Sequence, residues 1–446
     1  MAEHAVSSRA ALGILGTRFG IYPVKIIVTL FVAPLLGTTN YGIYTYLILP
    51  GAVLLPLLLF GLSPALRFYV SKGEYSASEV GFPALIMGFV HGLLTAAVTV
   101  LLWHLGWLGE TGRAISFADL APVLYVLPLQ GASLTMNVVM IGASWFSAMN
   151  LYLLLNNLLP PVLLAALVIF GGLGLQGAVW TIFTANSLLA LIAISMVFVR
   201  FRPELKVRVS MLAQMYGYGS RAWVGALANR ASVRLDQFVL GFVRAPGDLG
   251  VYRIAVMVAE LLWIIPDAVS IPLFNRVSSG SSTEEQVKIT SRSHRVLLVV
   301  VVLAAIGLFF VGWFLLPLVL GEEYADTRWL LGLLIPGTVF LVTSRIVNMF
   351  FSATGRPEKA SMVEIIGAVV SIGAYLAFIP TFGVAGAAIG TSVAYMIIAL
   401  TASQMFKRSV SPIRAHLLRT RREDINWATQ LVKDSFSIWG KAIRRP

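Results

Sequence analysis

Cysteine is absent from the 446 residues, which excludes disulfides, thiol chemistry and cysteine metal sites. Charge is scarce as well. Only 12% of residues are Asp, Glu, Lys or Arg, against about a quarter in a soluble globular chain. Acids are the scarcer sign, 20 against 33 Lys and Arg, leaving a formal charge of +13. The five histidines (His4, His91, His104, His294, His416) are scattered and show no metal-ligand spacing. No glycine-rich phosphate loop with its lysine and no nucleophile elbow occurs. The longest polar loop, about 275–295, is too short for a nucleotide-binding domain, so ATP-driven work on this chain is excluded. No cofactor and no metal are expected. The first residues lack a small-residue cleavage site after a short apolar core, so no cleavable signal peptide is expected.

What fills the chain is apolar sequence: 58% hydrophobic, mean hydropathy +0.85. About 20 apolar residues cross a bilayer as a helix. Stretches of that length fall at roughly 10–36, 42–66, 81–108, 118–141, 150–171 and 175–199, then at 213–243, 248–274, 296–320, 328–351, 360–380 and 384–406. The expected fold class is therefore all-α: a polytopic membrane protein with about twelve transmembrane helices. Pro50, Pro56 and Pro64 should kink the second span.

Basic residues collect on cytoplasmic loops. With the N-terminus in the cytoplasm, the loops and tail on that side hold 23 Lys and Arg, the opposite loops hold three (Arg113, Arg244, Arg328), and seven lie inside spans. This bias predicts a multi-pass protein of the cell membrane with both termini cytoplasmic. It also explains the positive charge without nucleic acid.

The halves repeat. Gly42 and Gly250 are 208 residues apart, as are Tyr44 and Tyr252. FSAMN (146–150) parallels FSATG (351–355), and GLQGAV (174–179) parallels GVAGAA (383–388), at offsets of 205 and 209. Six helices per half make the halves parallel, related by an axis along the membrane normal. The expected organisation is a six-helix lobe at 1–205, a second at 206–410, and a central cavity between them. The tail at 411–446 places Ile425, Ala428, Val432, Phe436, Trp439 and Ile443 at helical spacing among basic residues. That pattern reads as an amphipathic helix on anionic lipid.

Seven cations inside spans are the chemical signal, because an ionisable group at the bilayer centre costs at least roughly 2.5–3.5 kcal/mol. In the first span Arg18, Tyr22 and Lys25 share a helical face. Lys25 is about 16 Å from either end of its span, too far to snorkel comfortably. In the seventh, Arg230, Arg234 and Gln237 share a face, Arg221 lies opposite and nearer the cytoplasm, and Asp236 points about 120° from Arg230. In the eighth, Arg253, Glu260 and Asp267 are spaced by seven and share a face whose acids can pair with cations of the seventh span. Arg345 and Glu364 sit nearer the cytoplasmic ends and are weaker candidates. His91 reads as a satisfied interior histidine. Tyr22, Tyr44 and Tyr252 could stack on sugars. A cation-rich cavity suits an anion, whose phosphate oxygens match guanidinium forks. A scaffold role, with cations paired to Asp236, Glu260 and backbone carbonyls, competes for each residue singly.

NYGIYTYL (40–47), RLDQFVLGFVRAPGDLGVYRIA (234–255) and SRIVNMFFSATGRPEKAS (344–361) resemble the polysaccharide biosynthesis proteins, over roughly residues 8–408. These are lipid-linked oligosaccharide flippases of the O-antigen and exopolysaccharide translocase type. They belong to the multidrug/oligosaccharidyl-lipid/polysaccharide exporter superfamily. The resemblance implies alternating access and a cationic cavity lined by helices 1, 2, 7 and 8. Arg18 and Lys25 match the cation positions expected in helix 1, and Arg230, Arg234 and Asp236 match the charged segment of helix 7.

The reading is a flippase that carries a polyprenyl-(pyro)phosphate-linked oligosaccharide from the inner to the outer leaflet. Arg18, Tyr22, Lys25, Arg221, Arg230, Arg234 and Gln237 would bind substrate. Asp236, Arg253, Glu260 and Asp267 would serve charge pairing or ion coupling. Expected partners are that glycolipid, membrane lipids, and glycosyltransferases or a polymerase of the same pathway, with one chain sufficient. The alternatives are an ion-coupled drug or small-molecule antiporter, a lipid II flippase, which usually has fourteen helices, and a glycan-modifying membrane enzyme. Large loops with Asp, Glu or His clusters, which an enzyme would need, are missing.

Overall fold

A computed structural model describes residues 2–280 and 282–410. Among the described residues all regular structure is helical, with short turns between. The elements are α1 (Ala2–Leu49), α2 (Leu55–Leu58), α3 (Leu62–Ser71), α4 (Ala77–His104), α5 (Gly109–Arg113), α6 (Phe117–Gly142) and α7 (Phe146–Leu164). After them come α8 (Gly174–Phe201), α9 (Val209–Val243), α10 (Pro246–Ala259), α11 (Ile264–Ser278), α12 (Thr283–Leu320), α13 (Thr327–Ala353) and α14 (Pro357–Val410). Backbone polar groups in lipid must bond within their own segment, which leaves helices as the natural answer to so apolar a sequence.

Nine of the described helical stretches are long and apolar enough to cross a membrane. Two of them are pairs joined end to end. Gly37 (φ 73°) interrupts α1 and Gly383 (φ 59°) interrupts α14, both at positive φ, where a Cβ would be strained. α9 has 35 residues and is also of spanning length; its intramembrane charges make it less apolar. Two divided pairs and α9 account for the twelve expected spans.

The second span breaks where its prolines fall. Pro50–Leu54 is a π turn, α2 is a single turn that includes Pro56, and Phe60 and Gly61 take positive φ before α3 begins. A proline removes one backbone donor and crowds the preceding turn, so the ladder widens and then stops.

One apolar cluster joins α1, α6, α7 and α8 to α10, α13 and α14. It lies at the end of the bundle away from the termini. Toward the termini the core divides. One cluster belongs to α11–α14; the other belongs to α3, α4 and α6–α8, with Met211 and Met215 of α9. At the distal end Gly42 packs against the Pro246 carbonyl and Gly250 against the Thr38 carbonyl, so closely that a Cβ on either glycine would overlap. Thr111 Oγ1 donates to the Arg244 carbonyl at 3.0 Å and Tyr324 Oη to the Ala33 carbonyl at 2.9 Å. Near the termini α3 meets α9. Gly61 and Gly219 are in backbone contact, Trp223 Nε1 donates to the Leu57 carbonyl at 2.9 Å, and Phe68 stacks on Tyr218 at 4.1 Å.

Candidate functional site

Four elements bring charge to the middle of the bundle. Lys25 comes from the first arm of α1, Arg234 from α9, and Arg253 from α10; Glu260 opens the 3₁₀ turn Glu260–Trp263 between α10 and α11. Arg234 Nη1 donates to Glu260 Oε1 at 2.7 Å, and Arg253 Nη1 lies 3.9 Å from Glu260 Oε2. Lys25 is within Coulombic reach of Arg253, Glu260 and Arg234. Three cations therefore gather at Glu260, and Arg234 is also within Coulombic reach of Asp236. Arg253 Nη1 is shielded from water and makes no hydrogen bond among the described residues. A buried donor without a partner costs about 1–3 kcal/mol, so this group is poised for an acceptor.

Two cavities flank the cluster. The first, about 230 Å³, is lined by Lys25, Tyr44, Gln130, Asn186 and Arg253 among others, with no carboxylate among its described lining residues. Arg253 reaches it from the second half of the chain; most other lining groups come from α1 and α6–α8. The second cavity, about 500 Å³, lies within the second half. Its lining includes Arg234, Trp263, Asp267, Arg345, Asn348 and Glu364. Arg345 Nη1 donates to Asp267 Oδ1, and Asn348 Nδ2 donates to Glu364 Oε1 at 2.6 Å.

Asp236 is buried apart from both cavities. Its Oδ2 accepts from Tyr252 Oη at 2.7 Å and its Oδ1 from the Gln237 backbone N–H at 2.8 Å. Gln237 is buried beside it, with Nε2 unpartnered. His91 is held by the Met87 carbonyl at 2.6 Å and by Tyr216 Oη at 3.2 Å, as an interior histidine should be. Among the described residues no group of His, Asp and Glu side chains could hold a metal ion.

Three expectations need correction. Arg253, Glu260 and Asp267 do not share one continuous face. The 3₁₀ turn at Glu260–Trp263 has about three residues per turn rather than 3.6, and Asp267 pairs with Arg345 of α13 while lining the same cavity as Arg234 of α9. Tyr252 is unavailable for sugar stacking, because it is fully buried and its hydroxyl is committed to Asp236; Tyr44 does line the first cavity. Arg345 and Glu364 are not peripheral, since both face the second cavity. The side chains of Arg18, Tyr22, Arg221 and Arg230, and the tail from residue 411, lie outside the described residues. Trp263 and Asn348 escaped sequence reasoning. Neither carries charge, and a tryptophan in an apolar span reads first as an interface anchor.

A family model described as polysaccharide biosynthesis protein matches residues 31–328. The chain belongs to this family. The polysaccharide biosynthesis family member is 24% identical over 274 residues to the probable flippase AglR of Haloferax volcanii, covering 59% of this chain and 56% of AglR. It thus spans little more than half the length of that curated relative. Its fold is similar to that of an inward-facing multidrug resistance MATE transporter of the MOP superfamily, with TM-score 0.72 at 15% identity over 90% of this chain and 99% of the other. It is equally similar to the lipid II flippase MurJ in an inward closed conformation, with TM-score 0.72 at 12% identity over 87% and 86%.

Proposed function

We propose that this protein is a flippase that moves a polyprenyl-(pyro)phosphate-linked oligosaccharide from the cytoplasmic to the outer leaflet of the cell membrane. Both termini would be cytoplasmic, and two six-helix lobes would rock about the central site. The observation that carries the reading is the set of Lys25, Arg234 and Arg253 gathered at Glu260, beside a cavity whose described lining holds cations and no acid. A diphosphate supplies the missing negative charge, and guanidinium forks fit its oxygens. Arg18 and Arg230 would extend the same site. The closed distal end and the divided core toward the termini suit the state that accepts substrate from the cytoplasm. Transport then needs only that the two states bind the head group with different affinity. One chain would suffice, working beside the glycosyltransferases or polymerase that make and use the glycolipid.

The test is lipid extraction from cells depleted of the protein, with mass spectrometry of polyprenyl-linked glycans. A completed lipid-linked oligosaccharide should accumulate, and wild type should clear it while Lys25→Ala or Arg253→Ala, inserted at normal levels, should not. No accumulation, with new sensitivity to lipophilic cations, would replace the flippase by an ion-coupled exporter.

A further inference from the structure

The second cavity does not share the chemistry of the first. Its described lining balances Arg234 and Arg345 against Asp267 and Glu364, so it offers no net charge to an anion. It is rich in directional hydrogen-bonding groups. Asp267 accepts from Arg345 and Glu364 from Asn348, and Ser270 and Ser344 add hydroxyls. Two groups on its lining residues, the Trp263 indole N–H and the Asn348 amide oxygen, are shielded from water and have no hydrogen-bond partner among the described residues. The Trp263 ring carries the Arg345 guanidinium 4.5 Å from its centroid and lies 6.3 Å from the Tyr395 ring. Aromatic surface, paired charges, and unsatisfied amide and indole groups are the chemistry that grips a polyhydroxylated, uncharged ring. At about 500 Å³ the space is within the roughly 300–1,000 Å³ of small-molecule sites.

We infer that this cavity is a sugar subsite, selective for a neutral glycosyl unit, and that it works beside a phosphate subsite formed by Lys25 and Arg253. Arg234 joins the two: it lines the second cavity and bonds the Glu260 that Arg253 also approaches. The inference rests on the flippase reading, and it adds the division of one head group between two cavities of opposite character. Phosphate would be held by uncompensated charge, and the sugar by hydrogen bonds that reject an added carboxylate near Asp267 and Glu364.

Purified full-length protein in lipid nanodiscs is titrated with a polyprenyl diphosphate, bare or carrying one N-acetylglucosamine or one glucuronate. For wild type, N-acetylglucosamine should tighten binding about tenfold over the bare lipid, the equivalent of roughly 1.4 kcal/mol, and glucuronate should not. Asn348→Leu and the ring-preserving Trp263→Phe should erase that increment while leaving affinity for the bare diphosphate unchanged. Equal losses for the bare and glycosylated lipids, no increment in wild type, or a preference for glucuronate would each overturn the subsite and leave the flippase reading standing. Failure of wild type to bind any of the three lipids would overturn both.

Discussion

Glu260 sets the electrostatic level of the site. It accepts from Arg234 at 2.7 Å, faces Arg253 at 3.9 Å and is felt by Lys25. Removing one partner of a buried pair leaves the other charge uncompensated, a penalty of roughly 3–5 kcal/mol. Here the group left behind is what binds the anion. Glu260→Gln should therefore bind a polyprenyl diphosphate more tightly than wild type, by about tenfold, and export glycan more slowly because release becomes harder. Weaker binding in Glu260→Gln would mean that the carboxylate positions the arginines and does not merely oppose the ligand. These four residues were legible in the sequence for one reason: an ionisable group inside an apolar span stands out against its surroundings. Trp263 and Asn348 gave no such contrast, so the second cavity could only emerge once α11 and α13 were placed together. Depth was harder still. Hydropathy put Arg345 and Glu364 near the ends of their spans, yet helix register turns both toward the interior.

Among the elements, the informative pair is the one the internal repeat had marked. Gly42 and Gly250, 208 residues apart, meet in space, with α1 and α10 packed backbone to backbone. The offset suggested a repeat but not the contact, because a one-dimensional offset says nothing about which faces oppose. The same close approach recurs at the other end, where Gly61 of the broken second span meets Gly219 of α9. Gly61→Ala and Gly219→Ala would push α3 and α9 apart, whereas Gly73→Ala, where a Cβ meets nothing, is a control for the backbone cost of losing a glycine at positive φ. Protease access between α3 and α9 should rise in the first two variants and stay at the wild-type level in the third. Equal access in all three would show that this contact does not hold α3 against α9.

At the scale of the whole molecule, a chain without cysteine invites crosslinking. A Cβ on Gly247 would lie 3.7 Å from that of Thr38, within the roughly 3.5–4.5 Å that a disulfide spans. Oxidised Thr38→Cys/Gly247→Cys protein should be locked with its distal end closed, lose glycan export in cells, and regain it on reduction. It should still bind a polyprenyl diphosphate in nanodiscs, because the cations and first cavity lie outside the crosslink. Export that persists at full crosslinking would show that the distal seam need not open. Twelve helices were legible from span length, and their all-helical fold follows from the demands of lipid on the backbone. The two glycine breaks, at Gly37 and Gly383, are what keep the segment count from being read directly from helix length.

The distal seam buries many aliphatic and aromatic side chains between the halves. Parting it wets that surface, and newly wetted apolar area raises heat capacity by about 0.45 cal/K/mol for each Å². The equilibrium between distal-closed and distal-open forms should consequently bend with temperature. A van 't Hoff plot of distal opening, followed by a fluorophore near Thr38, would be curved, with the closed form most favoured at an intermediate temperature and distal opening recovering on cooling below it.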